Sequence, residues 1–185
     1  MKEIIEVKTK KELYELFPKN AVGAELGTCQ GDNAVMLYNN TQPKELYLID
    51  IWEKDENSYK YHLPEMRYDD WRQVVRDKLP HPNVHLIQQD TLAWLDSIPD
   101  DFLDWVYIDS LHQYHHVNQE YMKCINKVKR GGVISGHDFY CHPTAWKTGV
   151  IRAVLNQVQN KNIVITHISS DGPCASTLAI NIKSV

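Results

Sequence analysis

The chain lacks any apolar run of about 18 residues and any charged-then-apolar leader, so neither a membrane span nor a signal peptide is expected. It also lacks a C-x-x-C pair. Its four cysteines, at 29, 124, 141 and 174, sit in apolar or loop segments, which points to free thiols in a reducing compartment. Basic patches are missing too: the formal net charge is -4, and Lys127, Lys129 and Arg130 read as closing a helix whose dipole they complement. No nucleic-acid and no membrane partner is therefore expected, and a cytoplasmic protein is the default. Internal repeats, low-complexity tracts and interdomain linkers are absent from the 185 residues, a length that suits a single domain over 1–185.

What is present is a regular alternation of strand and helix patterns. Thr9-Lys10-Lys11-Glu12 reads as a capping box for a short helix through Leu13, Leu16 and Phe17 that Pro18 ends, making 1–18 an N-terminal helical extension. Strands are expected at about 21–26, 45–49, 84–88, 103–108, 133–136, 162–167 and 175–182, and helices at 32–38, 66–79, 91–98, 114–128 and 150–158. Leu103 to Ile108 is apolar enough for a central strand buried on both faces, and Val117, Tyr121, Ile125 and Val128 form one helical stripe ahead of Gly131-Gly132. The aromatic, polar stretch 52–68 reads as an active-site insertion. Such alternation predicts an α/β fold: a doubly wound, mostly parallel seven-stranded sheet with helices on both faces. The final strand should be antiparallel, because the last two are too close in sequence for a crossover helix.

Val22-Gly23-Ala24-Glu25-Leu26-Gly27-Thr28-Cys29-Gln30-Gly31 is the most informative stretch. A short apolar run ends in an acid and breaks into a turn with glycines four apart, allowing a backbone to approach a small ligand closely. The following helix start aims free N–H groups at the turn. Glu25 stands where a dinucleotide fingerprint has its first glycine. A carboxylate there repels a pyrophosphate and suits a ligand carrying an amino group and a sulfonium. The other early strands also end in acids, Asp50, Asp90, Asp109 and Asp138, at the edge where open α/β sheets bind ligands. Five carboxylates at one rim repel one another unless ligand hydroxyls, amines or a cation engage them. Asp50 has the spacing of a ribose-binding acid. Asp90 either reaches an adenine amino group or caps the helix at Thr91.

The pattern E-x-G-x-x-x-G resembles motif I of the class I S-adenosylmethionine-dependent methyltransferases. Asp104-Trp105-Val106-Tyr107-Ile108-Asp109-Ser110-Leu111-His112-Gln113-Tyr114 and Gly131-Gly132-Val133-Ile134-Ser135-Gly136-His137-Asp138 resemble the D-x-x-x-I-D-G-x-H-x-Y and G-G-x-I-x-G-H-D signatures of small O-methyltransferases. These belong to the methyltransferase-24 group, similar to the macrocin-type sugar O-methyltransferases. The resemblance covers roughly residues 20 to 160. It implies S-adenosylmethionine as cofactor, bound by Glu25, Gly27, Thr28, Gly31, Asp50, Asp90 and Asp109. It also implies Asp109 and Asp138 as ligands of Mg²⁺ or Mn²⁺, with His112 or His137 as general base and Asp109 in the catalytic set. Ser110 replaces a usual glycine, and Leu111 stands where a polar or acidic residue is common, which removes one candidate ligand.

The expected function is O-methylation of a small-molecule hydroxyl, either metal-assisted or with a histidine taking the proton. A homo-oligomer is left open. Competing readings are a nicotinamide-linked oxidoreductase, disfavoured by Glu25 and the lack of G-x-G-x-x-G, and a cofactor-binding module without catalysis. His115 and His116 are expected on the exposed side of a helix start, and no cysteine lies at zinc-ligand spacing. Tyr140, His142 and Trp146 are candidates for an acceptor pocket or for closing the core's edge. Trp52, Tyr59 and Tyr61 are lid candidates, and Cys29 reads as a small buried filler.

Overall fold

The chain alternates β1 (Ile5–Val7), α1 (Lys10–Glu15), β2 (Val22–Leu26), α2 (Asp32–Thr41), β3 (Glu45–Asp50), α3 (Tyr68–Lys78), β4 (Val84–Gln88), α4 (Thr91–Ser97), β5 (Leu103–Ile108), α5 (Tyr114–Lys127), β6 (Val128–Cys141), α6 (Thr148–Gln159), β7 (Ile163–Ser169) and β8 (Cys174–Asn181). The computed structural model describes residues 3–52, 68–141, 148–170 and 174–182. Apart from its two ends, the expected insertion at 52–68 lies outside them. So do Tyr59, Tyr61, His142, Trp146, the Asp171-Gly172-Pro173 loop and the side chain of Tyr140.

Among the described residues the strands form one sheet in the order β1-β7-β8-β6-β5-β2-β3-β4. Every pairing is parallel except those of β8, which runs antiparallel to both β6 and β7. The seven expected strands are all present, and β1 adds an eighth at the edge. Its three residues are too few for a readable alternation, and Ile5 is 54% exposed. The strand order reverses between β2 and β5, neighbours at the centre of the sheet, and that switch point opens a crevice at their carboxyl ends.

β5 is buried on both faces. Val106 and Ile108 join the cluster under α4, α5 and α6, while Trp105 and Tyr107 alternate onto the opposite face with residues of α1, α2 and α3. There Tyr14 meets Tyr107 edge-on at 5.4 Å, and Phe17 meets Trp105 at 5.4 Å. The extension ahead of the core is thus a packed element. Its start is fixed by Thr9, which accepts the Glu12 N–H at 3.2 Å, while Glu12 accepts the Lys8 N–H at 2.9 Å.

β6 departs from expectation. It begins at Val128 directly after α5, so Gly131-Gly132 lie inside the strand and do not close the helix. Val128 has extended dihedrals and pairs with Leu103, so the sheet takes up the backbone there in place of a helix cap. Lys129 and Arg130 consequently sit on a strand, with Lys129 bound to Asp104 at 2.7 Å; Lys127 alone ends α5, donating to the Ile98 carbonyl at 2.8 Å. At its far end β6 continues past Gly136 because β8 runs alongside it, with an irregularity between Gly136 and Tyr140.

Gly23 tests how tightly this centre is packed. A Cβ on it would lie 2.0 Å from the indole of Trp105, which has no exposed surface. Gly23→Ala is therefore expected to lower stability by about 2–3 kcal/mol, read as a reduced urea midpoint with an unchanged slope.

Candidate active site

The turn after β2 forms one wall of the crevice. Gly27 has φ +88°, and a Cβ there would come within 2.3 Å of the Asp109 carbonyl oxygen, so only glycine fits where the chain leaving β2 passes the chain leaving β5. Gly31, with φ +80°, begins α2 as its N-cap, with the Val75 side chain of α3 against it. Glu25 is completely buried at the end of β2. Its Oε1 accepts a hydrogen bond from Asn33 Nδ2 at 2.8 Å, whereas Oε2 and the neighbouring buried Thr28 hydroxyl have no partner. Burial pushes the Glu25 carboxyl up to about 8 despite the Asn33 hydrogen bond and the nearby Thr28 hydroxyl, which act to lower it, and the charges of Asp109 and Asp50 add to the shift.

Asp50 is committed to backbone. Its Oδ2 accepts the Cys29 N–H at 2.8 Å and its Oδ1 the Trp52 N–H at 2.9 Å, while Trp52 Nε1 donates to the Cys29 carbonyl at 2.9 Å. Each carboxylate oxygen keeps a second acceptor site. Trp52, expected as a lid residue, is 1% exposed and locks this turn to the end of β3. Cys29 is exposed with φ +52°, so it is no buried filler. Cys29 and Cys124 are free thiols. Asp90 is exposed and caps α4, accepting the Ala93 N–H at 2.9 Å.

Across the crevice, Asp109 follows β5 and His137 and Asp138 sit in the irregular part of β6. One ligand atom from each lies within 4.8 Å of the others. His137 Nδ1 is 3.5 Å from Asp109 Oδ1 and 3.3 Å from Asp138 Oδ1. His112 joins them from the loop before α5: its Nε2 is paired with Asp138 Oδ2 and lies 4.0 Å from Asp109. Asp138 is 2% exposed and has a left-handed backbone, φ +58°. Of the residues singled out from the sequence, the fold brings Glu25, Gly27, Asp109, His112, His137 and Asp138 around the switch point.

Glu120 carries a role the sequence reading missed. Fully buried on α5, it accepts hydrogen bonds from Ser110 at 2.7 and 2.6 Å and from Thr91 at 2.5 Å, and His116 Nε2 stands 3.2 Å away. His116 is thus half-buried, not on the exposed side; burial acts to lower its pKa, but the Glu120 hydrogen bond and charge raise it overall. The missed signal was a charge placed between Val117 and Tyr121 on the buried stripe. Ser110, the departure from the usual glycine, supplies the hydroxyl that this carboxylate binds.

A family model described as a methyltransferase domain, of the methyltransferase-24 type, matches residues 24–139, more than half of the chain. The chain belongs to the class I S-adenosylmethionine-dependent methyltransferases. No curated protein matches it in sequence. Solved structures share the fold at low identity. They include a candidate rRNA methylase from Clostridium thermocellum (14% identity, 94% of this chain and 95% of that one, TM-score 0.67). SMU.1697c of Streptococcus mutans, a candidate methyltransferase in complex with SAH, is similar (14%, 95% and 99%, TM-score 0.63). So is the N-methyltransferase NodS from Bradyrhizobium japonicum (13%, 94% and 93%, TM-score 0.65). Membership of this family sets aside the nicotinamide alternative. The matched span runs from the glycine turn through Asp138 and leaves α1 outside it.

Glu25 carries a measurable signature. Its native pKa of about 8, against an ordinary 4.5, means that the folded chain holds the proton more tightly than the unfolded one. Its contribution to stability is therefore lost as pH rises from about 4.5 to about 8. Without ligand, Glu25→Gln is expected to melt close to wild type at about pH 5 and above it near and beyond pH 8, by calorimetry.

Proposed function

We propose that this methyltransferase transfers the methyl group of S-adenosylmethionine to a hydroxyl of a small molecule, with a divalent cation at the acid–histidine cluster. The observation that carries this reading is the convergence of Asp109, His137 and Asp138 donor atoms within 4.8 Å, beside a glycine turn against Asp109 itself. An amine in its neutral form is already a competent nucleophile, whereas a neutral hydroxyl is a poor one. A hydroxyl must lose its proton.

Glu25 is read as the partner of the cofactor's ammonium group, since its buried Oε2 has no other partner. Asp50 keeps acceptor capacity for the ribose hydroxyls, and Asp90, already committed to α4, offers its remaining acceptor sites near the adenine. Gly27, Thr28 and Gly31 shape the turn around the methionine end. Two carboxylates and one imidazole form a donor set that suits Mg²⁺ or Mn²⁺. A cation there supplies positive charge that lowers the pKa of the acceptor hydroxyl. His112, held by the buried Asp138, takes the hydroxyl proton. S-adenosylmethionine, when bound, would supply a methyl carbon for the deprotonated acceptor oxygen and a sulfur that would leave with the bonding pair as a neutral thioether. Asp138 keeps a left-handed backbone within a strand, the kind of local strain that accompanies a placed functional group. Acids at the rim and a formal net charge of -4 favour a small acceptor over a polynucleotide.

Manganese titration followed by electron paramagnetic resonance tests the cluster without knowledge of the acceptor. Wild type is expected to bind Mn²⁺, and Asp138→Asn or His137→Ala to weaken it by about tenfold or more. SAH binding should be retained. Equal Mn²⁺ affinity in all three proteins would overturn the metal reading and leave the proton to the histidines alone.

A further inference from the structure

The chain ahead of the family's matched span reaches the cofactor crevice. Tyr14, on α1, donates its hydroxyl to Asn33 Oδ1 at 2.7 Å, and Asn33, in the first turn of α2, donates its amide to Glu25 Oε1 at 2.8 Å. We propose that Tyr14 and Asn33 are positioning residues, a two-step relay that fixes the Glu25 carboxylate so that Oε2 is kept for the ammonium group of the cofactor's methionine end. This rests on the reading of Glu25 given above.

Three observations support the relay. A side-chain amide has one accepting and one donating end, so a phenol that occupies the oxygen commits the nitrogen to the carboxylate. Were the amide reversed, an oxygen would face Glu25 and repel the charge that the carboxylate carries once an ammonium group is bound. Tyr14 is itself immobilised: it has no exposed surface and packs edge-on against Phe17 at 5.5 Å and Tyr107 at 5.4 Å. Burial raises its pKa, which keeps the phenol a proton donor. Finally, one carboxylate oxygen of Glu25 is engaged and the other is left unpaired in a fully buried position, a cost to the empty protein that a cationic ligand removes. The charged groups that act on this carboxyl among the described residues, Asp109 and Asp50, are both acids, so neither competes with a cationic ligand for that oxygen.

Calorimetric titration with two probes separates positioning from general packing. SAH carries the amino-acid end; 5′-methylthioadenosine has the same nucleoside and lacks it. Asn33→Ala is expected to weaken SAH about tenfold and Tyr14→Phe about threefold, with 5′-methylthioadenosine binding unchanged in both. Tyr14→Phe keeps the ring packing, so it reports on the hydroxyl even if Asn33→Ala fails to fold. Equal losses for both probes, or no loss of SAH affinity in either variant, would overturn the relay. Glu25→Gln distinguishes the levels. If it leaves SAH affinity intact, the reading of Glu25 fails; if it weakens SAH while Tyr14→Phe and Asn33→Ala do not, only the relay fails.

Discussion

At Gly27 the backbone leaving β2 passes so close to the backbone leaving β5 that no side chain fits between them. The Gly27 N–H donates to the Ile49 carbonyl at 2.9 Å and the Asp109 N–H to the Leu26 carbonyl at 2.8 Å, so hydrogen bonding continues beyond the last residues of the strands. This contact sets the distance between the glycine turn and the acid–histidine cluster. A wider gap would separate a bound methyl donor from the group that must deprotonate its acceptor, and alignment is most of what such a displacement requires.

Crowding acids around that contact creates an electrostatic problem, and the protein resolves it differently at each strand end. Asp50 is neutralised by two backbone N–H groups, Asp90 by the start of α4, and Asp138 by His112. Glu25 keeps a fully buried oxygen without a hydrogen-bond partner among the described residues, and burial leaves it protonated near neutrality when no ligand is bound. Repulsion at the rim is thus reduced chiefly by the fold itself, and only part of it is left for ligands to relieve.

Much of this was legible in the sequence because the signals are local. The continuous apolar run of β5, the acid at the end of each early strand and the glycine turn mark both the sheet and its switch point. What stayed hidden depends on contacts between distant segments. β1 is a strand only because β7 lies beside it, and β6 runs on to Cys141 only because β8 does. Tyr14 looks like an ordinary core aromatic, and Glu120 like a stray charge on an apolar stripe, until the fold sets them against Asn33 and Ser110. Trp52 reads as an aromatic on a polar surface stretch, and only the Cys29 carbonyl explains why it is buried.

The pairing of β1 with β7 has a consequence for how the molecule is made. Ile5 finds His167 in a strand far along the sequence, so the strand at this edge cannot dock until β7 has been synthesised. Contacts that span so much sequence form slowly. During translation the glycine turn and its acids emerge long before β7, so this margin of the sheet is sealed after the site at its centre has been laid down.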